Sequence, residues 1–320
     1  MGLSVVRLID GLRSPTRATL SRLGVATLVA NIVIVLTGGA VRLTGSGLGC
    51  PKWPKCTDSS LVVHGDMGVH GFIEFGNRML TFVLAAVAIL TWVAVMRYQP
   101  ARRSLRRIAT ALALGIPLQA VLGGLTVLTD LNPWLVAGHL LLSLAMVGLS
   151  VVFLRRIVET DRPPTPTVPL AVQWLARATF ATAWLVLYAG TVVTGSGPHA
   201  GDEQSARNGL SPSGVSQLHA DLVFLLVGLT VGIFFAFKAV GAPERAQRAA
   251  TWLLTVEIAQ GAVGFTQYFT DLPVGLVEVH LLGAALVSAT ATWVVLGVRD
   301  RGIARDLPTG LHQDPTFSTP

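Results

Sequence analysis

Four histidines recur near the start of every second apolar segment of this chain: His70, His139, His219 and His280. An imidazole inside a membrane span is costly and rare, so four at matching places point to bound metal or haem. Two histidines from different helices can supply both axial ligands of a haem iron as neutral imidazoles. Separate packing histidines are the alternative. Zinc or copper is matched less well, because Cys or carboxylate company at short spacing is missing. The expected pairs are His219 with His280 and His70 with His139.

The histidines belong to an internal repeat. Aligning Gln119–Leu141 with Gln260–Leu282 without a gap pairs Gln119 with Gln260, Gly123 with Gly264, Thr129-Asp130-Leu131 with Thr270-Asp271-Leu272, and His139 with His280; ten of 23 positions are identical. A second echo pairs Leu43–Gly47 with Val193–Gly197, each followed about two dozen residues later by His70 or His219. These Thr-Gly-Ser-Gly stretches read as helix stops.

The two halves differ where chemistry would need them to. After His70 come Glu74, Asn77 and Arg78, with His70, Glu74 and Asn77 at i, i+4 and i+7 on one helical face. Around His219 the corresponding places are apolar: Val223, Leu226 and Val227. A carboxylate and an arginine inside a span are used or paired. Either Glu74 and Arg78 form an internal ion pair, or the N-terminal half is a reacting site and the C-terminal half holds a permanent cofactor. Cys50 and Cys56, the only cysteines, bracket Pro-Lys-Trp-Pro-Lys and are expected to form a disulfide, as a loop staple or as an exchangeable dithiol. Arg42 is a candidate partner for a haem propionate; an ordinary membrane-edge arginine is the alternative.

These residues need a scaffold, and composition supplies it. With 52% hydrophobic and 13% charged residues the chain lies outside the soluble globular range. Apolar stretches give eight expected spans: 21–42, 67–96, 106–128, 134–154, 173–194, 215–237, 249–269 and 274–297. The fold expected is all-α and integral to the membrane, with eight transmembrane helices as two repeated four-helix bundles. The halves are 1–162 and 163–298, followed by a polar, disordered cytoplasmic tail at 299–320. The net charge of +7 does not imply nucleic acid, because 19 of 24 basic residues fall on one side of the spans. The positive-inside rule then places both termini in the cytoplasm and all four histidines in one layer near the outer surface.

Taken together, Gly38–Pro51, Ile73–Arg78, the repeated Thr-Asp-Leu and His pattern and the eight spans in two halves resemble the haem A synthase family over nearly the whole chain. The resemblance implies an oxidoreductase of the cell (inner) membrane, converting haem O to haem A for cytochrome oxidase assembly by oxidising a methyl group to a formyl through hydroxylated intermediates. It implies haem b ligated by His219 and His280, and haem O as substrate in the N-terminal half near His139, Asn77, Arg78 and Arg42, with Glu74 as the catalytic carboxylate. Many members have a histidine three positions after that glutamate. Here the position is Asn77, so His70 is expected to take its place as ligand beside His139. Implied partners are haem O and the enzyme that makes it, an electron donor or acceptor such as a quinone, and the lipid bilayer. A bis-haem electron-transfer cytochrome b would want two equivalent sites and leaves Glu74 unexplained. A haem or small-molecule transporter would want interrupted helices and a polar path through the membrane.

Overall fold

The computed structural model describes residues 14–64, 68–199, 201–202 and 205–304. They form eight long helices: α1 Arg17–Leu43, α2 Gly68–Arg97, α3 Arg103–Leu128, α4 Pro133–Val158, α5 Leu170–Ser196, α6 Pro212–Ala239, α7 Glu244–Phe269 and α8 Val274–Gly297. The fold is all-α and membrane-spanning. Seven of the helices are long and apolar enough to cross a membrane. The remaining helix, α7, has 26 residues, roughly 39 Å at 1.5 Å each. Its lower hydropathy comes in part from Glu257, Gln260 and Gln267. Glu257 and Gln267 are buried, and Gln260 points at α8, so this polarity is turned inward. Large apolar side chains such as Phe72, Phe82, Trp174, Phe224, Phe235 and Ile258 stand exposed, as lipid-facing positions do.

Local chemistry sets the helix ends. Thr16, Asn132 and Ser211 cap α1, α4 and α6 through their side-chain oxygens, with Pro133 and Pro212 in the first turns. At the end of α1, Gly45 adopts φ +66° and the Ser46 N–H reaches back to the Val41 carbonyl, a Schellman-type stop. The second Thr-Gly-Ser-Gly copy behaves differently. Helix α5 continues through Ser196, and Gly195 instead makes room for Asn208, whose amide donates to the Val192 carbonyl at 2.8 Å. The expectation of a helix stop therefore holds at the first copy, while the second is helical up to its last glycine.

The Thr-Asp-Leu repeats are turn devices. Asp130, Leu131, Asp271 and Leu272 all have φ between +51° and +59°, a left-handed backbone that L residues adopt at a cost. The Leu131 and Leu272 N–H groups close these turns on Thr126 and Gln267. In both copies the histidine follows the turn leucine by eight residues, about two turns into the next helix.

Helix α1 packs on α2 and α4, and α3 packs between α2 and α4; α5 to α8 pack in the same cyclic order. Buried side chains fall into two clusters. One is drawn mainly from α1 to α4, and the other from α5 to α8 with Leu144 of α4. Contacts of α4 with α8, α1 with α8 and α4 with α5 join the two sets. At their centre Ser288 donates to the Leu144 carbonyl at 2.7 Å, where Gly148 lets α4 and α8 approach.

The segment after α4 is anchored. Strand β1, Thr165–Pro166, pairs antiparallel with β2, Arg299–Asp300, and Glu159 bridges Ile303. Residues 299–304 thus clasp the inter-half linker. The rest of the expected tail, with Arg305 and His312, lies outside the described residues, as do Arg7 and Arg13.

Candidate functional site: paired imidazoles at one end of the helices

His139 and His280 are each six positions past the first residue of their helices, and His219 is seven past the start of α6. Each ring lies against a glycine of the preceding helix. A Cβ added at Gly123, Gly190 or Gly264 would stand 3.2, 3.2 or 3.6 Å from Cε1 of His139, His219 or His280 respectively. That contact is the physical reason for the repeated glycine: a larger side chain would take the imidazole's place. The repeated glutamine has a parallel role. Gln119 donates to the His139 carbonyl at 3.3 Å and to Ser143 Oγ at 2.7 Å, while Gln260 donates to the His280 carbonyl at 2.8 Å. Glutamine and glycine at i and i+4 on one helix thus hold a histidine on the next, and this happens twice. In the sequence the signal for this use is their one-face spacing in both repeats.

The rings of His219 and His280 are the two brought together. Their centroids are 6.4 Å apart, with planes at 70°. A metal–imidazole nitrogen bond of about 2.0 Å, plus about 1.1 Å from that nitrogen to its ring centre, separates two imidazoles on opposite sides of one metal by roughly 6.2 Å. The centroid separation of the pair is compatible with both imidazoles binding one iron. Nδ1 of His139, of His219 and of His280 is buried with no hydrogen-bond partner. Imidazoles left short of partners in an apolar layer suit ligation better than structural hydrogen bonding.

The first half is different. His70 lies exposed in the first turn of α2, its Nδ1 2.8 Å from Ser46 Oγ, and forms part of the corner between α1 and α2. Asn77, half-buried like His139, His219 and His280, shares two of their features. Its Oδ1 is buried without a partner, and a Cβ on Gly38 of the preceding helix would lie 4.0 Å from its Nδ2.

Glu74, only 5% exposed, is fully engaged. One carboxylate oxygen accepts the Cys50 N–H at 2.6 Å; the other accepts from the Arg78 guanidinium. Arg78 also donates to the carbonyls of Cys50, Lys52 and Lys55 at 2.9, 3.0 and 3.1 Å. The internal ion pair is thus present, and it clamps the 50–56 loop onto α2. Cys50 and Cys56 form a disulfide and are completely buried. Arg42 donates to the carbonyls of His199 at 2.7 Å and Thr194 at 3.0 Å, tying α1 to the end of α5. His199 in turn places Nε2 3.0 Å from the Leu272 carbonyl, at the turn that leads into α8.

Over 159 residues the chain is 29% identical to the heme A synthase of Geobacillus thermodenitrificans, covering 47% of each protein. Over 139 residues it is 31% identical to the heme A synthase of Listeria welshimeri, covering 43% of this chain and 45% of the relative. The chain therefore spans somewhat under half the length of the curated relatives it matches. The family model described as cytochrome oxidase assembly protein, COX15-CtaA, matches residues 21–201, more than half of the 320 residues. With its repeated helices and its glycine-backed histidines, this chain belongs to that family of cytochrome oxidase assembly proteins.

Proposed function

We propose that this protein is a haem A synthase, an oxidoreductase of the cell membrane that converts a methyl group of haem O to a formyl group through hydroxylated intermediates. The observation that carries the reading is the His219–His280 pair, whose 6.4 Å separation would allow both imidazoles to hold the iron of one haem b. Bound there, haem b would supply one-electron redox chemistry. Gly190, Gly264 and Gln260 fix the two imidazoles for it.

The N-terminal half, residues 1–162, is the substrate side in this reading, and residues 163–298 are the resident-cofactor side. His139 is the ligand proposed for the haem O iron. On the opposite side Asn77 has the buried, unpartnered polar atom and the glycine neighbour of the three half-buried histidines, whereas His70 is held at the corner by Ser46. An amide there would leave the substrate iron with one imidazole, a less saturated site than the second half. Written with water as the oxygen source, the reaction takes R–CH3 and H2O to R–CHO, four protons and four electrons, the electrons passing to an acceptor such as a quinone. Glu74 stands one helical turn from Asn77 and, ion-paired with Arg78, sets a carboxylate charge in an apolar layer. That charge would favour positive charge developing at the oxidised carbon. Arg78 holds the carboxylate in place, and Arg42 fixes the end of α1 beside the second half.

Expression in cells lacking their own enzyme, followed by pigment extraction and mass analysis, tests the assignment. Haem B together with haem O or haem A is expected; haem B alone would indicate an electron-transfer cytochrome. His219→Ala and His280→Ala should each remove the low-spin bis-imidazole spectrum while the chain remains in the membrane.

A further inference from the structure

The loop clamped by Glu74 and Arg78 carries Trp53, and its indole crosses to α3. A Cβ added at Gly124 would lie 2.8 Å from Cγ of Trp53 and closer still to Cδ2 and Cε2, so the ring sits directly on the glycine backbone. Gly124 is buried, and its neighbour Gly123 backs the His139 ring. One short stretch of α3 thus receives the lid on one residue and the imidazole on the next.

Among the described residues this seat exists in one half only. In the repeat Gly123 matches Gly264, but Gly124 matches Phe265, which is 58% exposed and occupies the position that would receive an indole. The equivalent connection between α5 and α6 instead places Asn208 at Gly195. Trp53 is held by several independent anchors: the Cys50–Cys56 disulfide, three carbonyl contacts from Arg78 and the Cys50 N–H on Glu74.

We propose that Trp53 is the gate of the first-half site: seated on Gly124, it closes the end of the helices over His139, and a flat tetrapyrrole enters or leaves that site only when the indole is unseated. This rests on reading the first half as the substrate side. A substrate site must exchange its ligand while a resident site must not, and the lid divides the two halves in that way.

The test is carbethoxylation of individual histidines by diethylpyrocarbonate, read by peptide mass analysis. The full-length protein is purified with its resident haem from cells unable to make haem O. His139 is expected to react slowly in the wild type and about tenfold or more faster in Trp53→Ala and Gly124→Ala, where the indole is removed or displaced. Trp53→Phe should stay near wild type. Continued protection of His280 shows in every sample that the helices are folded, and if Trp53→Ala fails that check, Gly124→Ala decides. Equal His139 rates in the wild type and the folded variants would overturn the gate. Adding haem O separates this proposal from the one beneath it: if neither the wild type nor the folded Trp53→Ala or Gly124→Ala variant binds any while His139 reactivity still follows Trp53, the closure over His139 stands and the substrate reading falls.

Discussion

Replacing Glu74 with Gln changes one atom, and the structure shows why the change is not silent. One carboxylate oxygen takes the Cys50 N–H at 2.6 Å and the other takes the Arg78 guanidinium. Glutamine offers one oxygen and one NH2, so whichever way it turns, a donor faces a donor on one side. Hydrogen bonds to charged groups contribute about 1.5–3 kcal/mol each, so the lid tether should weaken by about 2–3 kcal/mol. At about 1.4 kcal/mol per tenfold, the open fraction of the 50–56 loop rises roughly 30- to 150-fold. Hydrogen exchange of loop amides, measured by mass spectrometry, reads this directly. Activity needs a companion variant. Arg78→Ala also releases the loop, since it removes three carbonyl contacts and the ion pair, but it keeps the carboxylate. If Glu74 acts on the substrate, Glu74→Gln accumulates haem O or a hydroxylated intermediate, while Arg78→Ala retains measurable haem A in proportion to its folded fraction. Equal loss of haem A in two variants with equal loop exchange would refute the chemical role and leave Glu74 as a clamp. Wild-type haem A in Glu74→Gln would refute it outright.

The other predictions concern the imidazoles. Gly264→Leu should abolish the bis-imidazole spectrum without altering a ligand, because the new side chain occupies the space of the His280 ring; overpacking should cost about 1–3 kcal/mol. Gly261→Leu, one turn away with nothing within 4 Å, should leave the spectrum intact, and equal effects would show that general helix disruption is responsible. Asn77→His should give haem O bound in the first half a second imidazole and a low-spin spectrum, whereas His70→Ala should leave its ligation unchanged. Loss of first-half haem in His70→Ala would reinstate His70 as the ligand.

Much of this protein is determined locally, and that part is legible in the residues. Apolar length defines the spans, because a backbone inside lipid has to satisfy its own hydrogen bonds within each helix. The repeat marks Gln119, Gly123 and His139 with Gln260, Gly264 and His280, since a fixed spacing on a helix puts side chains on a fixed face. Thr-Asp-Leu is itself a turn, so its two copies fold alike.

What a polar side chain does with its partners depends on backbone brought from elsewhere in the chain, and only the tertiary structure decides it. Arg42 was free to meet a propionate by sequence, but folding brings it the carbonyls of Thr194 and His199, more than 150 residues on. Glu74 and Arg78 lie one turn apart, yet their use as a clamp depends on a loop that arrives over 20 residues earlier in the chain. His70 shares the periodicity of a ligand, but the helix begins only two residues before it, so the ring stays at a corner beside Ser46 while Asn77 goes inward. Trp53 reads as one apolar residue in a short loop. Its partner is a bare glycine backbone on another helix, and the absence of a side chain leaves no signal in the sequence of what will fill it.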